Sequence, residues 1–194
     1  MVAIPFRRET EFWVQGRNPW GRGALLLVLT FILFAYLRNP QHSSIFDALN
    51  LVVHEAGHMF FSWFGKFLQV AGGTIFELGI PLAVGFVFYR QRDFFGMSVV
   101  LFWLGTALFH VGVYVADTRT QLLQLFSIGA GDPLHDWYYL LGRTGLLEQD
   151  RLLGAGFRIL GTLAMGAALA WGGWMVRLMA ASAPGPQPHL PGDG

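Results

Sequence analysis

Cysteine is missing from all 194 residues. No disulfide can form, and no thiolate can ligate a metal ion. Charge is nearly as scarce. Asp, Glu, Lys and Arg make up 13% of the chain and sum to a net +1 at neutral pH. That argues against a nucleic-acid partner, because phosphate backbones are met by dense basic surfaces. No internal repeat is visible, which argues against a transporter built from paired halves.

What the chain has is apolar length. Hydrophobic residues make up 54% and aromatics 15%, and the mean hydropathy is +0.46. The apolar residues fall in long blocks, as in a chain that crosses a bilayer. Lipid offers the backbone no hydrogen-bond partners, so each crossing block must be helical. The expected fold is an all-α integral membrane protein with about five transmembrane helices.

Residues 1–22 read as a basic, aromatic arm for the head-group layer. Arg7, Arg8, Arg17 and Arg22 alternate there with Phe6, Phe12, Trp13 and Trp20. No apolar core follows these arginines at signal-peptide distance, so the first apolar block is expected to anchor the chain. Residues 23–179 read as one helical membrane domain. Its expected spans are near 23–37, 45–64, 74–89, 95–116 and 153–179. Ser44, with Asp47 three positions on, is a candidate cap for the second. Val70 to Thr74 is Gly-rich and could form a turn or a short re-entrant segment. Leu122 to Phe126 suggests a short interfacial helix. Small residues recur at helical spacing through the last span, suiting close helix contact within the chain or with a partner. Residues 180–194 form a Pro/Gly tail. Five spans and the Lys/Arg distribution place the N-terminus inside and the C-terminus outside.

The second span carries His54-Glu55-Ala56-Gly57-His58. On a helix, His54 and His58 lie one turn apart on one face, so two imidazoles can reach one metal ion. Glu55 stands beside the first, where it can take a proton from water. Two buried histidines hydrogen-bonded to neighbouring helices would give the same spelling. Ionisable groups inside a span are costly, however, and generally mark function.

Two places can supply a third ligand. His110, Tyr114 and Asp117 share a helix face at i, i+4 and i+7, which makes Asp117 a candidate and His110 a weaker one. The run Gly129-Ala130-Gly131-Asp132-Pro133-Leu134-His135-Asp136-Trp137 follows a Gly-rich turn. It also reads as a helix start, with Asp132 as cap and Pro133 in the first turn. Its His135 and Asp136 are the stronger candidates. Nitrogen and carboxylate donors without thiolate suit zinc.

These residues resemble the site-2 protease family of intramembrane zinc metalloproteases, and more closely its small bacterial membrane peptidases. The likeness covers roughly residues 45–150. It rests on His54 to His58, Gly72-Gly73, Ala116-Asp117 and the run from His135 to Leu141. It implies that His54 and His58 hold zinc and that Glu55 is the general base. It also implies a third, aspartate ligand on a later segment and a bacterial inner-membrane location. The family sets that aspartate in Asn-Pro-Asp-Gly or Leu-Asp-Gly. This chain has neither; Gly131-Asp132-Pro133 and His135-Asp136 stand nearest. The expected partners are membrane lipid and a transmembrane substrate, with Gly72-Gly73 as an edge for its unwound strand. The alternative is a non-catalytic subunit of a larger membrane complex that retains this fold.

Overall fold

The computed structural model describes residues 6–123 and 135–182. The Gly129–Leu134 stretch with Asp132, most of the expected interfacial helix and the tail from 183 lie outside them. The fold is all-α. Its helices are α1 (Phe6–Trp13), α2 (Trp20–Arg38), α3 (Ile45–Phe61), α4 (Lys66–Gln91), α5 (Phe94–Ala116), α6 (Asp136–Thr144) and α7 (Asp150–Ser182). Among the described residues, α2, α4, α5 and the segment containing α7 are long and apolar enough to cross a membrane. With 17 residues, α3 is the shorter apolar helix, and it carries the His-Glu-x-x-His stretch.

Local chemistry sets several boundaries. At the start of α3, Phe46 N–H donates to Ser44 Oγ (3.1 Å) and Ser44 N–H donates to Asp47 Oδ2 (2.6 Å). Two free donors of the first turn are thereby satisfied. Tyr36 near the end of α2 ties this cap down, donating to Asp47 Oδ2 at 2.6 Å. After α3, Gly65 takes φ 87°, a backbone angle that glycine adopts freely, and α4 begins at once. The Gly-rich segment from Val70 to Thr74 is helical and continuous with the rest of α4. The re-entrant alternative is therefore not adopted. Its glycines serve packing: Gly72 meets Gly57 of α3 so closely that a Cβ on either would collide with the other's carbonyl.

The buried core of the bundle is built round α5, whose residues from Phe94 to Val115 include a dozen buried positions. One side packs on α7 through paired glycines. A Cβ on Gly105 would stand 2.8 Å from the Gly161 carbonyl oxygen, and one on Gly154 would stand 2.6 Å from that of Gly112. The backbones touch, the arrangement that small residues permit in lipid. Gly156, Gly166 and Gly173 have nothing within 4 Å of a built Cβ. Phe102, Phe109, Met165 and Ala168 join Leu29, Ile32 and Tyr36 of α2 in the main cluster.

Helix directions follow from paired contacts. Gly23 and Leu26 of α2 lie against Val176 and Gly172 of α7, while Tyr36 and Leu37 lie beside Ala155 to Leu163, so these helices are antiparallel. Likewise α4 and α5 are antiparallel, with Gly85 by Val100 and Glu77 by His110. Phe46 packs on Phe102, Asn50 accepts from Trp103 Nε1, and His54 lies against Tyr114. Thus α3 runs parallel to α5, from the middle of the bundle towards the end where α5 finishes. The arm and the end of α7 sit together: Val14, Phe94, Met175 and Met179 form one cluster, and Arg92 pairs with Glu9. Both lie at one end of the bundle, which corrects the expectation of opposite sides. The reason is that α3 does not reverse the chain's direction relative to α2.

Replacing Gly161 with Leu should destabilise the protein by about 1–3 kcal/mol, because the added side chain must push apart backbones that touch. Gly156→Leu, facing open space, should cost far less. Thermal unfolding in detergent of the two variants makes the comparison.

Candidate metal centre

Three helices and one short segment meet around His54. Buried on α3, His54 projects towards α4 and α5, with Gly73 of α4 leaving room for its ring. A Cβ at Gly73 would collide with that imidazole. His58, one turn on, lies edge-on to His54 with ring centroids 4.7 Å apart. Asp136, the first residue of α6, comes in from the segment joining α5 to α7. Its Oδ2 lies 3.0 Å from His54 Nε2 and 3.1 Å from His58 Nε2.

The far side of each ring is fixed. His54 Nδ1 donates to Glu77 Oε2 at 2.8 Å, and His58 Nδ1 donates to the Gln69 carbonyl at 2.9 Å. A carbonyl can only accept, so the His58 proton sits on Nδ1. In the neutral ring its Nε2 then presents a lone pair to Asp136. The same holds for His54 against the Glu77 carboxylate. Two lone pairs facing one carboxylate oxygen repel unless a proton or a metal ion lies between them. Donors on a tetrahedral ion with 2.0–2.1 Å bonds stand about 3.3 Å apart, close to the spacings here. His54, His58 and Asp136 can therefore hold a metal ion; their ligating atoms all lie within 4.8 Å of one another.

The outer contacts are equally specific. Glu77 is 1% exposed, and its second oxygen, Oε1, accepts from His110 Nδ1 at 2.7 Å. One buried carboxylate thus orients His54 and is itself held by α5. Tyr114 fixes α6: its hydroxyl accepts from the Asp136 N–H at 3.0 Å and lies 3.4 Å from Asp136 Oδ2. Glu55 is half-buried and outside the three-donor group, adjacent to His54 and turned about 100° from it around the helix.

Of the third-ligand candidates, Asp136 joins the histidine pair, whereas His135 and Asp117 do not. His135 is the cap of α6, its Nδ1 accepting from Tyr138 N–H, and its ring stacks on Tyr114 at 4.4 Å. Its Nε2 points towards Asp117 Oδ2, 3.8 Å away. Asp117 is occupied in turning the chain after α5. It accepts from Thr120 Oγ1 (2.6 Å), Leu122 N–H (2.9 Å) and Leu123 N–H (3.0 Å). His110 faces the site from one layer out, through Glu77. Sequence reasoning did not give Glu77 or Tyr114 a role. A carboxylate alone in an apolar block was the available signal for Glu77. Gly72 and Gly73 offer no strand edge, since they are helical and packed against α3.

Substituting His54, His58 or Asp136 with Ala should abolish metal retention, measured by metal analysis of the purified chain. Glu77→Gln should weaken affinity by about 10- to 100-fold, the usual cost of removing a ligand's supporting partner. His135→Ala and Asp117→Ala should retain the metal.

Burial pushes the Asp117 carboxyl up, but the Thr120 hydroxyl and the two backbone N–H groups outweigh it and hold it below the usual range. Its contribution to stability is therefore present above the unfolded value of about 3.9 and declines as pH falls from there through the lowered folded value. Asp117→Asn should flatten that acid limb in melting curves recorded from pH 6 to pH 3. Comparison of the chain with family models, curated proteins and solved structures finds no match.

Proposed function

We propose that this chain is a zinc-dependent intramembrane peptidase of the bacterial cytoplasmic membrane, with its N-terminal end cytoplasmic. The observation that carries the reading is the convergence of two imidazole Nε2 atoms and Asp136 Oδ2, each ring anchored from behind. Two nitrogens and one carboxylate oxygen, without thiolate, suit zinc, and three protein donors leave a position open for substrate. The resemblance to the site-2 protease family supports the same reading. Asp136 then takes the role of the family's third ligand, presented at a helix start rather than in the family's usual motif.

A zinc ion held there by His54, His58 and Asp136 would supply Lewis acidity to a scissile carbonyl and acidify a water molecule. Glu55, next to His54 in sequence, would take up that water's proton on its carboxylate and pass it to the departing amine. Glu77 and the Gln69 carbonyl keep both rings in register, and Tyr114 keeps Asp136 in place. A helical substrate hides its carbonyls in its own hydrogen bonds, so the substrate is a membrane segment that unwinds locally.

The test pairs metal analysis with cleavage of a quenched fluorescent membrane-segment peptide in proteoliposomes. Glu55→Gln should keep its metal and lose about 10²- to 10⁴-fold in rate, the typical contribution of a general base. Equal cleavage by wild type and Glu55→Gln removes Glu55 from the chemistry. A wild type that holds metal and cleaves no peptide of a diverse set leaves the non-catalytic subunit as the surviving reading.

A further inference from the structure

We propose that Arg158 and the groove beside it form a binding site for one anionic phospholipid. This site is separate from the metal centre and does not depend on its chemistry. Arg158 sits within α7, a helix apolar and long enough to cross a membrane. Its stem crosses the face of α5, where a Cβ on Gly112 would lie 2.7 Å from Arg158 Cγ. Its Nε is buried and has no hydrogen-bond partner among the described residues. A guanidinium in that position is costly unless an anion or water meets it.

The side chain lines a groove of about 400 Å³ between α2, α5 and α7. Leu37 and Pro40, Phe109, and Ile159 and Leu163 form its walls. The other polar groups along it already have partners. Tyr36 OH bonds Ser44 and Asp47, and Thr162 Oγ1 donates to the Arg158 carbonyl. Among the described residues, one unmatched cation therefore stands at an otherwise apolar slot.

Depth selects the occupant. The 33 residues of α7 extend about 50 Å at 1.5 Å per residue, well beyond the ~30 Å hydrocarbon layer. Arg158 lies about 12 Å from the start of α7, level with the end of α2, where Arg38-Asn39-Pro40 leaves the apolar block. Both markers put the guanidinium near the hydrocarbon boundary, the level of a phosphodiester. Two parallel N–H groups of Arg match two phosphate oxygens. The apolar slot takes the acyl chain, which a free phosphate lacks.

The experiment is native mass spectrometry of the full chain in detergent with added dioleoylphosphatidylglycerol, dioleoylphosphatidylcholine or inorganic phosphate. Wild type should retain phosphatidylglycerol about fivefold more tightly than phosphatidylcholine, the effect of one Arg near a membrane surface. Arg158→Gln should lose that preference, and Arg158→Lys should keep a fraction of it. Ala155→Phe fills the groove wall and leaves the cation intact, so it should lower phosphatidylglycerol retention without touching the charge. Equal retention of the two lipids by wild type overturns the proposal, as does an unchanged preference in Arg158→Gln. Displacement of the lipid by inorganic phosphate alone also overturns it, in favour of a simple anion site. If Arg158→Gln fails to fold, Ala155→Phe decides, and unchanged lipid retention there overturns the proposal.

Discussion

A carboxylate oxygen set about 3 Å from two imidazole nitrogens is tolerable in an apolar bundle only when a positive charge joins them. Asp136 is in that position between His54 and His58. The rest of the bundle enforces the approach. Glu77 and the Gln69 carbonyl turn both rings so that their lone pairs face inward. The Tyr114 hydroxyl holds Asp136 by accepting from the Asp136 backbone N–H. Gly57, Gly72 and Gly73 let α3 and α4 come close enough for these contacts to form. Each piece is weak alone, but together they leave the rings little rotational freedom.

The scaffold behind this is helix packing without side chains at the points of closest approach. The α5–α7 contact through Gly105, Gly112, Gly154 and Gly161 fixes where α7 begins and so where the preceding segment must end. That segment carries Asp136. A ligand supplied 82 positions after the first histidine thus depends on glycine contacts that lie outside the three-donor group. Loss of that packing reaches the candidate metal site through the position of α6.

Much of this was legible in the residues. Long apolar blocks dictated helices, because lipid leaves the backbone no other partner. Ser44 and Asp47 announced the start of α3 through cap chemistry. The His-Glu-x-x-His spacing put two rings on one face. The third ligand was narrowed to His135, Asp136 or Asp117 but not decided. Adjacent residues at a helix start point in different directions, and only the docking of α6 on Tyr114 selects between them. The Gly-rich start of α4 was ambiguous because glycine permits both a turn and close helix contact. The count of crossings was obscured by α3, whose hydropathy resembles a span while its contacts run parallel to α5. Glu77 lacks any local motif, and its value emerges only where α3, α4 and α5 meet.

The second carboxylate has a consequence for the charge of the whole cluster. A divalent ion held by neutral His54 and His58 and by anionic Asp136 would carry one uncompensated positive charge. Glu77, hydrogen-bonded to His54 and to His110 and sealed from solvent, would cancel it, leaving the enclosed ensemble electroneutral when His110 is neutral. Such an ensemble avoids the self-energy that a net charge would incur in hydrocarbon. A divalent ion could then be enclosed at this depth without a counter-ion drawn in from the aqueous phase.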